Sequence, residues 1–170
     1  MHHSGMHPAL LLVSLALQAD PLVGRATVID GDTLEMRGQR IRLWGIDAPE
    51  GRQTCTRSGE TYRCGTDAAN YLDTLIADRP VNCRSKGRPD RYARVVATCQ
   101  VFETGCERGA DVCVVSTDLN ASMVLGGHAL DYEQFSRGAY AEQQADARTR
   151  RRGVWAGEFQ MPWDWRRGRR

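Results

Sequence analysis

The chain has almost no lysine. Lys86 is its single lysine, and the rest of its 23 Lys and Arg residues are arginine. The formal net charge is only +2, so overall charge does not indicate a nucleic-acid-binding protein. Eight arginines lie between Arg148 and Arg170, among only two acids, Glu158 and Asp164. A guanidinium suits bidentate contact with phosphate, but GC-rich coding produces the same preference, so this tail is not by itself evidence of a function.

The sequence also lacks a hydrophobic run long enough to span a membrane. Its longest apolar stretch, residues 9–17, is about half the length of a transmembrane helix. Such a stretch, followed by Ala19 and then by Asp20-Pro21, is typical of a secretory signal peptide over residues 1–19, cleaved after Ala19. The segment before it has no lysine or arginine, which leaves an uncleaved anchor or a misassigned start codon as alternatives. We expect a periplasmic or secreted protein.

No two cysteines are spaced as Cys-x-x-Cys, and His128 is the only histidine after the leader, so a zinc site is not expected. The six cysteines are an even number, which favours disulfides in an exported chain, and they allow 15 connectivities. Chain order suggests local pairs, each stabilising the fold by roughly 2–3 kcal/mol through loop closure. The expected pairs are Cys55 with Cys64, Cys83 with Cys99, and Cys106 with Cys113.

The length of 170 residues fits one domain, which we place over residues 20–170, with a basic, tryptophan-rich C-terminal tail. Alternating and β-branched patterns predict short strands over residues 23–29, 33–36, 40–46, 81–83 and 95–102. Helices are predicted over residues 67–77 with Thr66 as cap, over 119–125 with Asp118 as cap, and over 138–152. Residues 103–113 resemble an exposed insert. This order favours an α+β fold, a small barrel with helices packed on it.

Three acids and two arginines form the pattern that points to chemistry. Asp32 and Asp47 flank the strand that carries Arg42, Glu50 follows closely, and Arg94 comes later. Carboxylates gathered at one rim would repel each other unless a hard cation such as calcium or magnesium bound them. Arginines beside such a cation would neutralise charge on a phosphodiester, and a carboxylate could deprotonate the attacking water.

Strand geometry supports this pattern in part. A two-residue turn at Arg37-Gly38 places Thr33 opposite Arg42, with Asp32 at the same end of the hairpin. Asp47 then falls about 13 Å further along an ideal strand. The strand must therefore bend if both aspartates are to bind one metal ion.

Three segments together closely resemble the staphylococcal nuclease family: VIDGDT over residues 28–33, RLWGIDAPE over 42–50 and DRYAR over 90–94. They occur in the family's order, and the resemblance continues through residues 118–127 and Tyr132 to RGVW at 152–155, covering nearly all of the chain after the leader. It implies an OB-like five-stranded β-barrel with about three helices. It also implies a calcium-dependent nuclease that hydrolyses DNA and RNA and leaves 3′-phosphates.

The resemblance also implies roles for individual residues. Asp32 and Asp47 would ligate calcium (Ca2+), and Glu50 would act on the attacking water. Ala48 replaces a threonine that is common in the family, but the family uses the carbonyl at this position, which alanine retains.

Further residues would contact the substrate. Arg42 and Arg94 would hold the phosphate and stabilise the transition state, and Arg91 and Tyr92 match positions that contact a terminal phosphate. Tyr132 matches a base-stacking tyrosine, with a core tyrosine as the alternative.

Two functional classes remain open: a nuclease, and a non-catalytic OB-fold module that binds nucleic acid or another polyanion. Degenerate nuclease-like domains usually lose the metal-binding and general-base carboxylates, all of which are present here, so we favour the nuclease. A role in an envelope process such as exopolysaccharide production is a third alternative. The expected partner is DNA or RNA, with no obligate protein partner and a monomeric state.

Overall fold

The computed structural model describes residues 20–104 and 114–168. The strands of the N-terminal part are Leu22–Gly24 (β1), Thr27–Asp30 (β2), Thr33–Met36 (β3), Gln39–Leu43 (β4), Ile46–Asp47 (β5), Cys55–Arg57 (β6) and Glu60–Tyr62 (β7). The later strands are Val81–Ser85 (β8), Val95–Thr104 (β9), Val114–Asp118 (β10) and Leu130–Asp131 (β11). The α-helices are Cys64–Ile76 (α1), Leu119–Leu125 (α2), Glu133–Ser136 (α3), Ala141–Thr149 (α4) and Pro162–Arg166 (α5), and Gly153–Ala156 is a 3₁₀ helix.

One mixed sheet organises the fold. Its strand order is β1-β8-β9-β4-β3-β2, with β10 also pairing with β9, and only β4 and β9 are parallel within it. Two small ribbons, β5 with β11 and β6 with β7, lie outside this order. The predicted α+β class is confirmed. The hydrogen bonds of the described strands do not close a five-stranded barrel, so barrel closure stays a prediction.

The main core lies between the sheet and two helices. Ile41 and Leu43 are fully buried on β4, as the alternating pattern predicts, while Arg40 beside them is exposed. Leu72 of α1 and Leu119 of α2 pack against the same cluster. Burial of each such side chain contributes about 1.5–3 kcal/mol, so the packing of α1 and α2 against the sheet is a main source of the stability of the fold.

A second, smaller cluster joins the β6–β7 hairpin to the C-terminal tail. Its buried members are Cys55, Cys64, Leu130 and Val154, and its partly buried members include Phe159, Met161 and Trp163. The backbones of Thr56 and Glu158 exchange hydrogen bonds of 2.8 and 2.9 Å. The tail after Gly157 is therefore packed against the domain at this hairpin.

Two of the three expected disulfides are confirmed. Cys55 and Cys64 are bonded with a Cα–Cα distance of 5.7 Å, and Cys83 and Cys99 with one of 4.1 Å. Cys106 and Cys113 lie outside the described residues, so their pairing stays a prediction. Disulfides are characteristic of oxidising, non-cytoplasmic compartments.

Several element boundaries differ from the predicted ones. The strand expected over 23–29 is two strands with different partners, because β1 pairs with β8 and β2 with β3. Helix α1 begins before its expected cap Thr66, because the disulfide at Cys64 and a hydrogen bond from Gly65 to Gln53 fix its first turn. Helix α4 is shorter than the predicted 138–152, whereas α2 has the predicted bounds and its cap Asp118 accepts a hydrogen bond from Ala121.

No helix within residues 20–104 and 114–168 is both long and apolar enough to cross a membrane. The predicted signal peptide, residues 1–19, lies outside the described residues.

Candidate active site

Arg42 lies at the centre of the site. The predicted register is confirmed, since Thr33 of β3 pairs with Arg42 of β4. The Arg42 side chain donates from Nη1 to Asp32 Oδ1 at 2.6 Å and from Nη2 to Asp47 Oδ1 at 2.7 Å. One guanidinium thus bridges the two aspartates, which is the planar two-point contact that arginine makes and lysine does not.

The chain bends sharply between Arg42 and Asp47, as the predicted site requires. Gly45 adopts φ +74°, a conformation that favours glycine because a Cβ would clash with the backbone. It also lies close to Ser136 and Tyr140. After the bend, Asp47 pairs with Leu130 of β11. Asp47 thus lies beside Arg42 rather than further along an extended strand.

The two bridged aspartates are buried. Asp47 is 0% exposed and Asp32 is 4% exposed. Burial raises the pKa of Asp47, and the negative charge of Asp32 raises it further, against the arginines that lower it. The charge on Asp47 is therefore costly unless nearby positive groups compensate it.

Asp30 is an acid of the site that the sequence pattern did not single out. Burial and the charge of Asp32 raise the pKa of Asp30 to about 6. Its Oδ1 accepts a hydrogen bond of 3.0 Å from the Asp32 amide. Its position within VIDGDT was the available signal, but an acid in a turn is more often simply solvated.

Hydrogen bonds hold both the backbone and the side chain of Glu50. Its amide donates to Oε1 of the buried Gln53 at 3.1 Å, and Gln53 Nε2 donates to the carbonyl of Gln160 at 2.6 Å. Its carboxylate accepts a hydrogen bond of 2.6 Å from Nη1 of Arg166. The loop that carries Glu50 is thus tied directly to the C-terminal tail.

Arg94 reaches the same region but is paired with Asp90. Its Nε donates to Asp90 Oδ2 at 2.8 Å, and its Nη1 lies 3.5 Å from Thr33 Oγ1. Although burial opposes it, hydrogen bonding from the Arg94 backbone and side chain lowers the pKa of Asp90. Asp90 therefore stays ionised and orients Arg94.

All but one of the predicted catalytic, metal-binding and substrate-binding residues line a single cavity of about 620 Å³. The lining residues among them are Asp32, Arg42, Glu50, Arg91, Tyr92, Arg94 and Tyr132. Asp47 is the exception, because it is fully buried and reaches the cavity lining only through its contacts with Arg42 and Arg166. Tyr92 is 63% exposed, with the guanidinium of Arg91 4.8 Å from its ring centre.

Tyr132 is stacked within the protein. Its ring lies 5.4 Å from that of Trp163, with an angle of 7° between the planes, and Phe135 packs edge-on at 5.0 Å. Trp163 therefore covers one face of Tyr132, while Phe135 lines the cavity and is exposed.

Arg166 is a functional candidate that the sequence pattern did not reveal. Its Nη2 donates to Asp47 Oδ2 at 2.7 Å, and its Nη1 donates to Asp47 Oδ1 at 2.9 Å and to Glu50 Oε1 at 2.6 Å. Although burial opposes the charge, hydrogen bonds to Asp47 and Glu50 raise the pKa of Arg166. No sequence signal distinguished it from the other arginines of the basic tail.

The donor chemistry of the site fits a hard cation. Within the described residues, no three acidic, histidine or cysteine side chains form a preassembled metal site. Asp32 and Asp47 nevertheless supply buried carboxylate oxygens, the ligands that calcium prefers. Arg42 and Arg166 already contact these oxygens, so a cation would have to replace guanidinium contacts.

Comparison with known proteins agrees with this geometry. The family model described as staphylococcal nuclease homologue matches residues 40–157. The chain belongs to the staphylococcal nuclease family. This membership supports a nuclease acting on nucleic acid, in a family whose domain is an OB-fold. Asp32, in the hairpin before residue 40, and Arg166, in the tail after 157, both lie outside the matched span.

Individual relatives extend the match over more of the chain. The Rhizobium meliloti protein named succinoglycan biosynthesis protein ExoI is 40% identical over 149 residues, covering 86% of this chain and 71% of that protein. An Escherichia coli protein named uncharacterized endonuclease is 32% identical over 145 residues, covering 82% and 80%. Protein ParB of Escherichia coli is 31% identical over 167 residues, covering 94% and 86%.

Proposed function

We propose that this protein is a calcium-dependent nuclease that hydrolyses phosphodiester bonds of DNA, RNA or both and leaves 3′-phosphates. The observation that carries the proposal is the arrangement around Arg42. Its guanidinium joins Asp32 and Asp47, beside a cavity that Glu50 and Arg94 also line. This arrangement places two carboxylates that would bind a cation close to a carboxylate that would act as general base and to arginines that would bind phosphate.

Asp32 and Asp47 are the residues that would hold calcium. The ion would supply positive charge that stabilises the developing charge on a bound phosphate. Burial of both aspartates keeps water away from their oxygens and strengthens their interaction with any cation.

Glu50 is the proposed general base. It would accept a proton from a water molecule whose oxygen attacks phosphorus. The bond from phosphorus to the 5′ oxygen would break, and the departing 5′ oxygen would take a proton from solvent water. The products would be a 3′-phosphate and a 5′-hydroxyl. Gln53 holds the Glu50 backbone through a 3.1 Å hydrogen bond, which would keep the carboxylate in position for proton transfer.

The arginines would bind the phosphate. Arg42 and Arg94 both line the cavity beside β3, and each guanidinium can donate two hydrogen bonds to phosphate oxygens. Arg91 and the exposed Tyr92 would contact a terminal phosphate at the cavity edge. Tyr132 would stack on a base, with Trp163 already covering one face of its ring.

Hydrolysis assays test the proposal. Purified residues 20–170 should cut single-stranded DNA or RNA with calcium present and lose that activity with a chelator. End-group analysis should find 3′-phosphates. If the protein binds both polymers but cuts neither, the non-catalytic binding module is the correct function.

Location and assembly form part of the proposal. We propose export through a signal peptide over residues 1–19, cleaved after Ala19, to the periplasm or the medium, where Cys55–Cys64 and Cys83–Cys99 can form. We also propose a monomer with no obligate protein partner. Sequencing of the mature N-terminus and light scattering would test these two points.

A role in exopolysaccharide production is a second candidate, favoured by the 40% identity to a protein named for succinoglycan biosynthesis. Deleting the gene from its host and restoring it as wild type or as Glu50→Gln would test this role. Reduced polysaccharide yield that only wild type restores would link such a role to nuclease chemistry. An unchanged yield after deletion would exclude it.

A further inference from the structure

The C-terminal tail brings a cation into direct contact with the proposed metal site. Arg166 lies 119 residues from Asp47 in the chain, yet donates to both of its carboxylate oxygens, at 2.9 and 2.7 Å. The same side chain donates to Glu50 at 2.6 Å. Together with Arg42, it leaves both oxygens of Asp47 hydrogen-bonded to guanidinium groups.

The position of Arg166 is built into the fold. Trp163, one turn earlier in α5, stacks on Tyr132, and Gln160 accepts a 2.6 Å hydrogen bond from Gln53. The backbone pairing of Thr56 with Glu158 fixes the start of the tail. These three anchors hold α5 against the site, although the tail lies beyond the residues that the family model matches.

We propose that Arg166 sets the affinity of the site for divalent cations, acting as an internal counter-ion that occupies Asp47 and Glu50 until a cation replaces it. This inference rests on the proposed function, because it needs Asp47 to be a calcium ligand. A divalent cation cannot join both guanidinium groups at the Asp47 carboxylate at low cost, since like charges repel strongly at contact distances in a partly buried site. The side chain of Arg166 is about one-third exposed, so it can rotate into solvent while α5 stays in place.

Loss of Arg166 should change calcium affinity and the stability of the calcium-free protein in opposite directions. Without Arg166, calcium meets one competitor fewer at Asp47 and binds more tightly, by about tenfold. Without Arg166, the metal-free protein is also less stable, because the buried Asp47 keeps only Arg42 as a compensating charge. Saturating calcium should restore most of this lost stability, because a ligand that binds the folded protein more tightly stabilises it more.

The test compares wild type with Arg166→Gln and a matched control, Arg167→Gln. Arg167 also lines the cavity, and its replacement by glutamine removes the same charge. Unlike that of Arg166, its side chain makes no hydrogen bond or ion pair within the described residues. Calcium binding to the intact protein is measured by titration calorimetry, and melting temperatures are measured in chelator and in saturating calcium.

We expect Arg166→Gln to bind calcium about tenfold more tightly than wild type, to melt lower in chelator and to gain more from calcium. Arg167→Gln should match wild type in all three. Equal or weaker calcium binding by Arg166→Gln would overturn the inference and leave the proposed metal site standing. If neither wild type nor Arg166→Gln binds calcium, the proposed metal site is wrong, and the inference with it.

A second variant covers the case in which Arg166→Gln does not fold. Arg166→Lys keeps the charge, but its single ammonium cannot span both carboxylates as the guanidinium does. Arg166→Lys should bind calcium more tightly than wild type and Arg167→Gln do, but by less than the tenfold increase expected for Arg166→Gln. An affinity equal to that of wild type would overturn the proposal.

Discussion

The guanidinium of Arg42 contacts the carboxylate of Asp32 at 2.6 Å, across the β3–β4 hairpin. The strand register places the two residues together, because Thr33, next to Asp32, pairs with Arg42. Burial opposes the charge on Arg42, yet Asp32 and Asp47 outweigh it and raise the pKa of Arg42. The arginine is therefore permanently charged at the centre of the site.

Replacing Arg42 with lysine should remove most of the activity. A lysine keeps the charge but cannot hold two carboxylates or two phosphate oxygens at once. We expect kcat/KM for single-stranded DNA to fall on the order of 100-fold or more, as when a positioned transition-state donor is lost. Arg40→Lys on the same strand is the control, since Arg40 is exposed and only loosely paired with Glu35. Near-normal activity in Arg42→Lys would contradict its proposed role.

Gly45→Ala should both destabilise the protein and impair the site. A Cβ at Gly45 would lie 3.0 Å from Ser136 and 3.1 Å from Tyr140, at φ +74°. Gly38→Ala is a matched control, because Gly38 has φ +76° but a Cβ added there would have no atom within 4 Å. We expect urea unfolding to show a loss of about 1 kcal/mol for Gly38→Ala and about 2–4 kcal/mol for Gly45→Ala. Equal losses would show that crowding at the bend is unimportant.

The position of Arg42 could be predicted from the sequence, because the hydrophobic alternation and the strand register agree there. The alternation along residues 40–46 predicts which side of β4 carries Arg42, and the Arg37-Gly38 turn predicts its pairing with Thr33. The sequence indicates the bend before Asp47 only indirectly, because Asp32 and Asp47 could not bind one metal ion without it. The bend occurs at Gly45, whose backbone lies close to Tyr140, and the sequence does not reveal this tertiary contact.

The contribution of the tail could not be predicted from the sequence. Arg166 is one of eight arginines after residue 147, and no periodicity or spacing relates it to Asp47. Its position follows from tertiary contacts, chiefly the stacking of Trp163 on Tyr132. The start of α1 also depends on a tertiary contact. The disulfide at Cys64 determines it, rather than the capping preference of Thr66.

The two observed disulfides should differ in their effect on activity. Replacing Cys55 and Cys64 with alanine should cost about 2–3 kcal/mol and reduce kcat severalfold. This disulfide joins the hairpin that pairs with the tail to the first turn of α1, which hydrogen-bonds to Gln53 near Glu50. Replacing Cys83 and Cys99 should cost a similar free energy of unfolding but leave kcat unchanged, since this pair lies between β8 and β9. Urea unfolding and initial rates measure both effects. A loss of kcat in the second pair alone would contradict this assignment.

His128 should make the protein less stable as the pH falls. Burial lowers the pKa of His128 below its ordinary value of 6.5, and its ring stacks on Tyr71 at 4.2 Å. Above the ordinary value the ring is neutral in both states, and as the pH falls the unfolded chain takes up the proton first. The free energy of unfolding should therefore fall between pH 7.5 and 5.5 more steeply in wild type than in His128→Gln. Parallel curves for the two proteins would show that His128 does not contribute.

The most direct test of the central claim is the calcium-dependent cleavage rate of Glu50→Gln, measured beside its binding of the same single-stranded DNA. Glu60→Gln, at an exposed acid of β7, is the control. We expect Glu50→Gln to bind DNA like wild type and to cut it about 100- to 10,000-fold more slowly, while Glu60→Gln behaves like wild type. A Glu50→Gln protein that cuts DNA at the wild-type rate would contradict the assignment of Glu50 as the general base of a nuclease.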